Sequence, residues 1–180
     1  MFLVFRIPFK VLEYAPIFPF FSPLSSLFIV KRVYTTMNPE LLKNTFKVDK
    51  IDPDGRVYMR VSRAVCTSDD GKVTLTTDFN REEYQLLMGD RITICLASTL
   101  DREGHKGSPV YDHSLYHRDS LLSDYEYAMH GRVYECSPND GEVDVLASFG
   151  GLLMKVSGPL SALRELRLDT DVFLLIKKHK

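Results

Sequence analysis

Three histidines, His105, His113 and His117, share one polar stretch with Asp101, Glu103, Asp112, Asp119 and Asp124. Imidazole and carboxylate are the ligand types of a zinc or related divalent site. Ligation also needs rigid placement and hydrogen-bonded support behind each ligand. A stretch that holds Gly104, Gly107 and Pro109 and few apolar residues supplies neither. The histidines therefore read as solvated loop residues, and no metal site is expected. Three thiols, Cys66, Cys95 and Cys136, are odd in number, widely spaced and set in apolar runs. Such thiols are usually inert packing, and their spacing suits a reducing compartment better than a disulfide framework. Neither a G-x-S-x-G elbow nor a glycine-rich phosphate cradle occurs. The paired acids Asp69-Asp70 and Glu82-Glu83 sit in turn-like or polar stretches. No catalytic residue and no cofactor are expected.

The most functional-looking group is a basic stripe, Arg56, Tyr58, Arg60, Arg63 and Lys72. On a strand, Arg56, Tyr58 and Arg60 would point to one face. Cations beside an aromatic ring on a sheet face can hold single-stranded nucleic acid: charge follows the backbone and the ring stacks on a base. The competing reading makes these outward strand residues, or partners for acids on another protein. Only one ring is present, and the chain's formal charge of −1 adds no general attraction for phosphate.

The elements that must carry these residues are short strands. Asp52-Pro53-Asp54-Gly55 and Ser68-Asp69-Asp70-Gly71 are turns by composition. Between them residues 56–66 alternate with Val57, Met59 and Val61 toward one side. Val73, Leu75 and Thr77 mark the next strand; Ile92, Ile94 and Leu96 mark another. Residues 81–88 fit one helical turn or a bent strand. Residues 101–124 read as a long polar loop, which in a compact domain is functional or poorly ordered. Order resumes at residues 125–136. Gly150-Gly151 predicts a tight hairpin or a close backbone approach, a structural corner. Gly158-Pro159 opens a short helix, and residues 172–176 form the last strand. Eight strands at this spacing, with one short helix, predict an all-β fold: a closed antiparallel barrel or a sandwich.

Composition divides the chain in two. Of 11 phenylalanines, seven lie in residues 1–28, and residues 1–36 carry Arg6, Lys10, Lys31 and Arg32 against Glu13 alone. Pro16, Pro19 and Pro23 interrupt the uncharged run that a membrane helix would need. Residues 1–36 are expected to be an extension outside the folded domain, disordered or absent from a mature protein that starts at Met37. Residues 37–180 form the domain. The 44% hydrophobic and 26% charged fractions are those of a globular chain and exclude bulk disorder.

From Phe46 onward the chain resembles the small eight-stranded subunit shared by eukaryotic nuclear RNA polymerases I, II and III, common subunit eight. The resemblance is carried by Ile51-Asp52-Pro53-Asp54-Gly55, Arg60-Val61-Ser62-Arg63, Gly89-Asp90 and Ala97-Ser98-Thr99-Leu100. It continues through Tyr125-Glu126-Tyr127-Ala128-Met129-His130-Gly131-Arg132-Val133-Tyr134, Ser148-Phe149-Gly150-Gly151-Leu152-Leu153-Met154 and Val172-Phe173-Leu174-Leu175-Ile176-Lys177-Lys178. Residues 1–36 have no counterpart, and residues 81–88 match poorly. The resemblance implies an OB-type eight-stranded antiparallel barrel, residence in the nucleus and no catalysis by this chain. It implies docking on the largest subunits of RNA polymerases I, II and III, and weak single-stranded DNA contact from the hairpin around residues 53–76. No membrane attachment and no homo-oligomer are expected. The alternative is a free-standing OB-fold binder of single-stranded nucleic acid.

Overall fold

Alternating burial runs through nearly every strand of the computed structural model, which describes residues 5–6, 38–55, 58–102 and 119–179. Nine strands are present among them: β1 (Phe5–Arg6), β2 (Glu40–Ile51), β3 (Val61–Ser68), β4 (Thr74–Asn80), β5 (Arg91–Ala97), β6 (Tyr127–Asn139), β7 (Glu142–Phe149), β8 (Leu152–Pro159) and β9 (Asp171–Lys178). All ladders are antiparallel. The order β6-β7-β8-β4-β3-β2-β5-β9 closes on itself through β9 and β6, an eight-strand OB-type barrel, with β1 added to β6. A four-residue helix, α1 (Leu160–Leu163), follows β8 directly, with Pro159 as its N-cap.

Closure requires strands that bend. β2 carries a bulge at Asp49, between its Val48 and Lys50 pairings, and so serves both β5 and β3. β6 bends most. It pairs with β9 over residues 127–132 and with β7 from Arg132 onward. Gly131 sits at the changeover. A Cβ there would fall on the Ser148 carbonyl oxygen, 2.6 Å from the Phe149 ring and 2.9 Å from the Phe149 Cα. Of the two alternatives at Gly150-Gly151, the structure shows the tight hairpin, and a close backbone approach occurs at Gly131. Gly150 and Gly151 form the two-residue turn of the β7–β8 hairpin, with φ of +64° and +104°. A Cβ at Gly151 would meet nothing within 4 Å, so the demand there is on conformation and not on space.

The core is the barrel interior. Phe46, Leu75, Ile92, Ile94, Leu96 and Ile176 are fully buried in it. Val73, Leu75 and Thr77 point inward as their alternation predicts, and so do Ile92, Ile94 and Leu96. β3 runs in the opposite phase to the expectation. It begins at Val61, and Ser62, Ala64, Cys66 and Ser68 face in, while Met59 lies before the strand at 85% exposure. Residues 81–88 are neither helix nor strand. They cross one end of the barrel, where Leu86 enters the core and Tyr84 stacks on Tyr127 at 5.2 Å.

A second apolar cluster lies outside the barrel, on the outer face of β5, β6 and β9. Cys95, Ala97, Ala128 and Leu175 meet Leu100, Leu121 and Tyr125 there. The polar stretch 101–124 thus ends in a short 3-10 turn, Leu121–Asp124, that covers part of the barrel wall. Its base is closed by the Leu121 N–H donating to the Leu100 carbonyl at 2.9 Å and by Arg102, which bridges Asp119 at 3.1 Å and Asp124 at 2.8 Å.

Gly131→Ala should lower stability by about 1–3 kcal/mol or more, because backbone must move to admit the methyl. Gly151→Val should also destabilise, through φ alone. Urea unfolding midpoints of both variants check this, with the larger loss expected at Gly131. Burial pushes the Cys66 thiol up to about 12 and the Cys95 thiol to about 11. Unfolded thiols ionise near 9 while the folded ones keep their protons, so stability should decline as pH rises from about 9 toward 11–12. In a native alkylation time course, Cys136 should be modified before Cys66 and Cys95.

Candidate docking and nucleic-acid surface

The basic stripe is built around the β2–β3 connection and the β3–β4 hairpin. Asp52 organises the first. With a φ of +50°, it accepts the Gly55 N–H on its carbonyl at 2.9 Å. Its carboxylate accepts the Ser62 hydroxyl at 3.0 Å and the Arg63 N–H at 2.8 Å, fixing where β3 begins. The second hairpin closes through the Gly71 N–H to the Ser68 carbonyl at 2.8 Å, and Ser68 Oγ links Asp70 to the Val73 N–H.

Arg63 lies directly opposite Asp78 in the β3–β4 register and grips it with two bonds, Nε–Oδ1 at 2.7 Å and Nη2–Oδ2 at 3.1 Å. Asp78 is 7% exposed and also accepts the Leu153 N–H of β8 at 3.1 Å. One buried carboxylate therefore ties three strands, with Arg63 neutralising it. Bidentate, charge-assisted geometry of this kind is among the stronger polar contacts, and losing one partner leaves the other charge poorly compensated.

The other stripe residues sit apart. Arg56 lies outside the described residues. Tyr58 and Arg60 belong to the connection before β3 and not to the strand; Tyr58 is 66% exposed. Arg60 Nε meets Glu82 at 3.3 Å, a surface pair of little energetic weight. Lys72 lies beyond the far end of β3. The Arg63–Asp78 and Thr67–Thr74 pairings are four residues, or about 13 Å, apart along the strand. Lys72 instead borders a groove of about 410 Å³ with Lys43, Asp70, Pro159 and Ser161. The structure thus distributes the stripe's described residues over two surfaces and one ion pair across the β3–β4 ladder.

Among the described residues no group of histidine, cysteine and acidic side chains could hold a metal ion. The sequence-predicted histidine cluster, with Glu103 and Asp112, lies outside them. No helix among the described residues is long and apolar enough to cross a membrane. Large apolar side chains are exposed at Leu87 and Met88 in the β4–β5 connection and at Tyr134 and Leu153 on the barrel wall. Sequence reasoning did not single these out. Leu87-Met88 before Gly89-Asp90 was the available signal, an apolar pair set at the head of a turn.

The described residues thus form a closed, eight-strand OB-type barrel, as the sequence resemblance implies, with Arg63 held in a bidentate clamp on Asp78. Comparison with known sequences agrees. The chain belongs to the RNA polymerase Rpb8 family, which it matches over residues 43–178. A probable DNA-directed RNA polymerases I, II, and III subunit RPABC3 from Caenorhabditis elegans is 36% identical over 143 residues, covering 77% of this chain and 95% of the relative. The Dictyostelium discoideum subunit rpabc3 is 38% identical, covering 79% of this chain and 99% of the relative. Subunit 8B of RNA polymerases II, IV and V from Arabidopsis thaliana is 34% identical, covering 77% and 95%. A solved structure of the molybdate-binding protein ModG aligns with 75% of this chain and 89% of its own at 14% identity. Its TM-score of 0.26 carries no argument.

Arg63→Ala should destabilise the barrel by about 3 kcal/mol, near the lower end for a broken buried ion pair because Arg63 itself is half exposed. Arg60→Glu should stay within about 0.5 kcal/mol of the parent. Chemical denaturation of the two variants side by side checks the division of roles.

Proposed function

We propose that this chain is a non-catalytic structural subunit shared by nuclear RNA polymerases I, II and III, docking on the largest subunit of each. The observation that carries the reading is coverage. The family match runs from early β2 to the end of β9, so the whole barrel is the family's unit. Relatives named as subunits common to the three enzymes are themselves matched almost end to end. A closed barrel suits the role. It leaves few free edges, and its outer wall, turns and connections can bury a partner's surface without changing shape. In this reading the chain works in the nucleus.

Single-strand contact is a minor role in this reading. Arg60, with Tyr58 close by in the same connection, and Lys72 on its separate surface would supply phosphate and base contacts. Arg63 serves the fold. A free-standing nucleic-acid binder is not favoured, since Arg63 of the stripe is committed to Asp78.

Affinity purification of the tagged full chain from nuclear extract, with mass spectrometry, tests the proposal. Stoichiometric recovery of the largest subunits of all three polymerases is expected. Recovery of the chain alone, or with nucleic acid only, would overturn it. For the minor role, Arg60→Glu should weaken oligonucleotide binding at low salt while leaving polymerase recovery intact.

A further inference from the structure

The barrel is closed by pairing but not along its full height. β7 turns back at Gly150, so its ladder with β6 starts only at Arg132 opposite Ser148. Residues 127–131 pair with β9 on one side, and no barrel strand pairs with their other side. Across the opening, β4 pairs with β8 only as far as Thr77, and residues 78–80 run on past it. The two lips are joined by a side chain instead: the Asn80 N–H donates to the Tyr127 hydroxyl at 3.1 Å. The β6 lip reads Tyr-Ala-Met-His-Gly, with no lysine, acid or proline. It therefore lacks the devices by which exposed edges usually resist added strands.

One strand does sit there. β1 pairs antiparallel with β6, Phe5 opposite Ala128 and Arg6 opposite Tyr127. By sequence, Val4, Phe5 and Ile7 are strand-favouring residues, and Pro8 is a residue that ends pairing. The interval 7–37 can reach on the order of 100 Å when extended, ample to return from β2 to this edge. We propose that the free edge of β6 is a strand-acceptor site and that the chain's own N-terminal segment, through Phe5 and Arg6, fills it in cis. Backbone hydrogen bonds supply the recognition, as in strand addition generally. The segment then shields an edge on which a second chain would otherwise add.

Hydrogen exchange on the full chain tests this. Among residues 127–130, the amides that do not face β9 should be protected, and Phe5→Pro with Arg6→Pro should speed their exchange roughly tenfold or more. The β2–β5 ladder serves as the internal control and should not change. Edge amides that exchange freely in the parent chain, or equally in both proteins, would overturn the proposal. Protection that disappears on dilution would assign the strand to a second copy and overturn the cis arrangement.

Discussion

At Gly131 the β6 backbone runs against the Ser148 carbonyl and the Phe149 ring so tightly that no side chain fits between them. That contact is where β6 stops pairing with β9 and starts pairing with β7. A strand shared between two ladders must bend, and bending brings its backbone onto its neighbour. With any larger residue, either the β6–β7 ladder begins later or the β6–β9 ladder ends sooner. Elsewhere the ladders continue through bulges at Asp49 and Tyr134; at Gly131 the absence of a side chain lets β6 pass from one ladder to the next.

Polar interactions reinforce closure at chosen points. The Arg63–Asp78 pair binds β3 to β4 and extends to β8 through the Leu153 amide. On the opposite side, Arg132 divides its guanidinium between Asp169 and Asp171, both at 3.0 Å, pinning the start of β9 beside the bend of β6. Asp90 holds the β4–β5 turn by accepting the Leu87 N–H at 2.9 Å, and it meets Lys178 at 2.8 Å. The Asp78–Leu153, Arg132–Asp169, Arg132–Asp171 and Asp90–Lys178 contacts link chain segments far apart in sequence. Arg63, one of the cations that suggest a nucleic-acid binder in the sequence, is thus a fastener of the barrel.

Strand content and turns were legible because burial is enforced by large residues at period two, as in β4 and β5; alternation left barrel and sandwich open, and only the family resemblance implied the barrel. β3 misled for a physical reason. Its inner positions are Ser62, Ala64, Cys66 and Ser68, small side chains where the interior is already filled by Phe46 and Phe79, while half-buried Val61 and Val65 face out. Hydrophobicity there points away from the core. The strand placement of Tyr58 and Arg60 followed from the same slip, since a strand assumed to start at residue 56 includes two residues that in fact precede it. Gly131 left a readable trace, a lone glycine inside an apolar strand. The apolar cluster beneath residues 121–125 left little, because Leu121 is embedded in polar sequence. The ion pair of Arg63 with Asp78 left none, since pairing across a hairpin depends on a register that composition does not fix.

The clasp at residues 102 and 119 has a consequence for how this family can vary. Arg102 with Asp119 and Asp124, and Leu121 with the Leu100 carbonyl, bring both ends of the interval 103–118 together independently of what lies between. Once the ends are held, doubling the enclosed length adds only about 0.6 kcal/mol of closure entropy. The barrel therefore carries a port that tolerates lengthening, shortening or a grafted reporter, and evolution could resize it without renegotiating a single strand pairing.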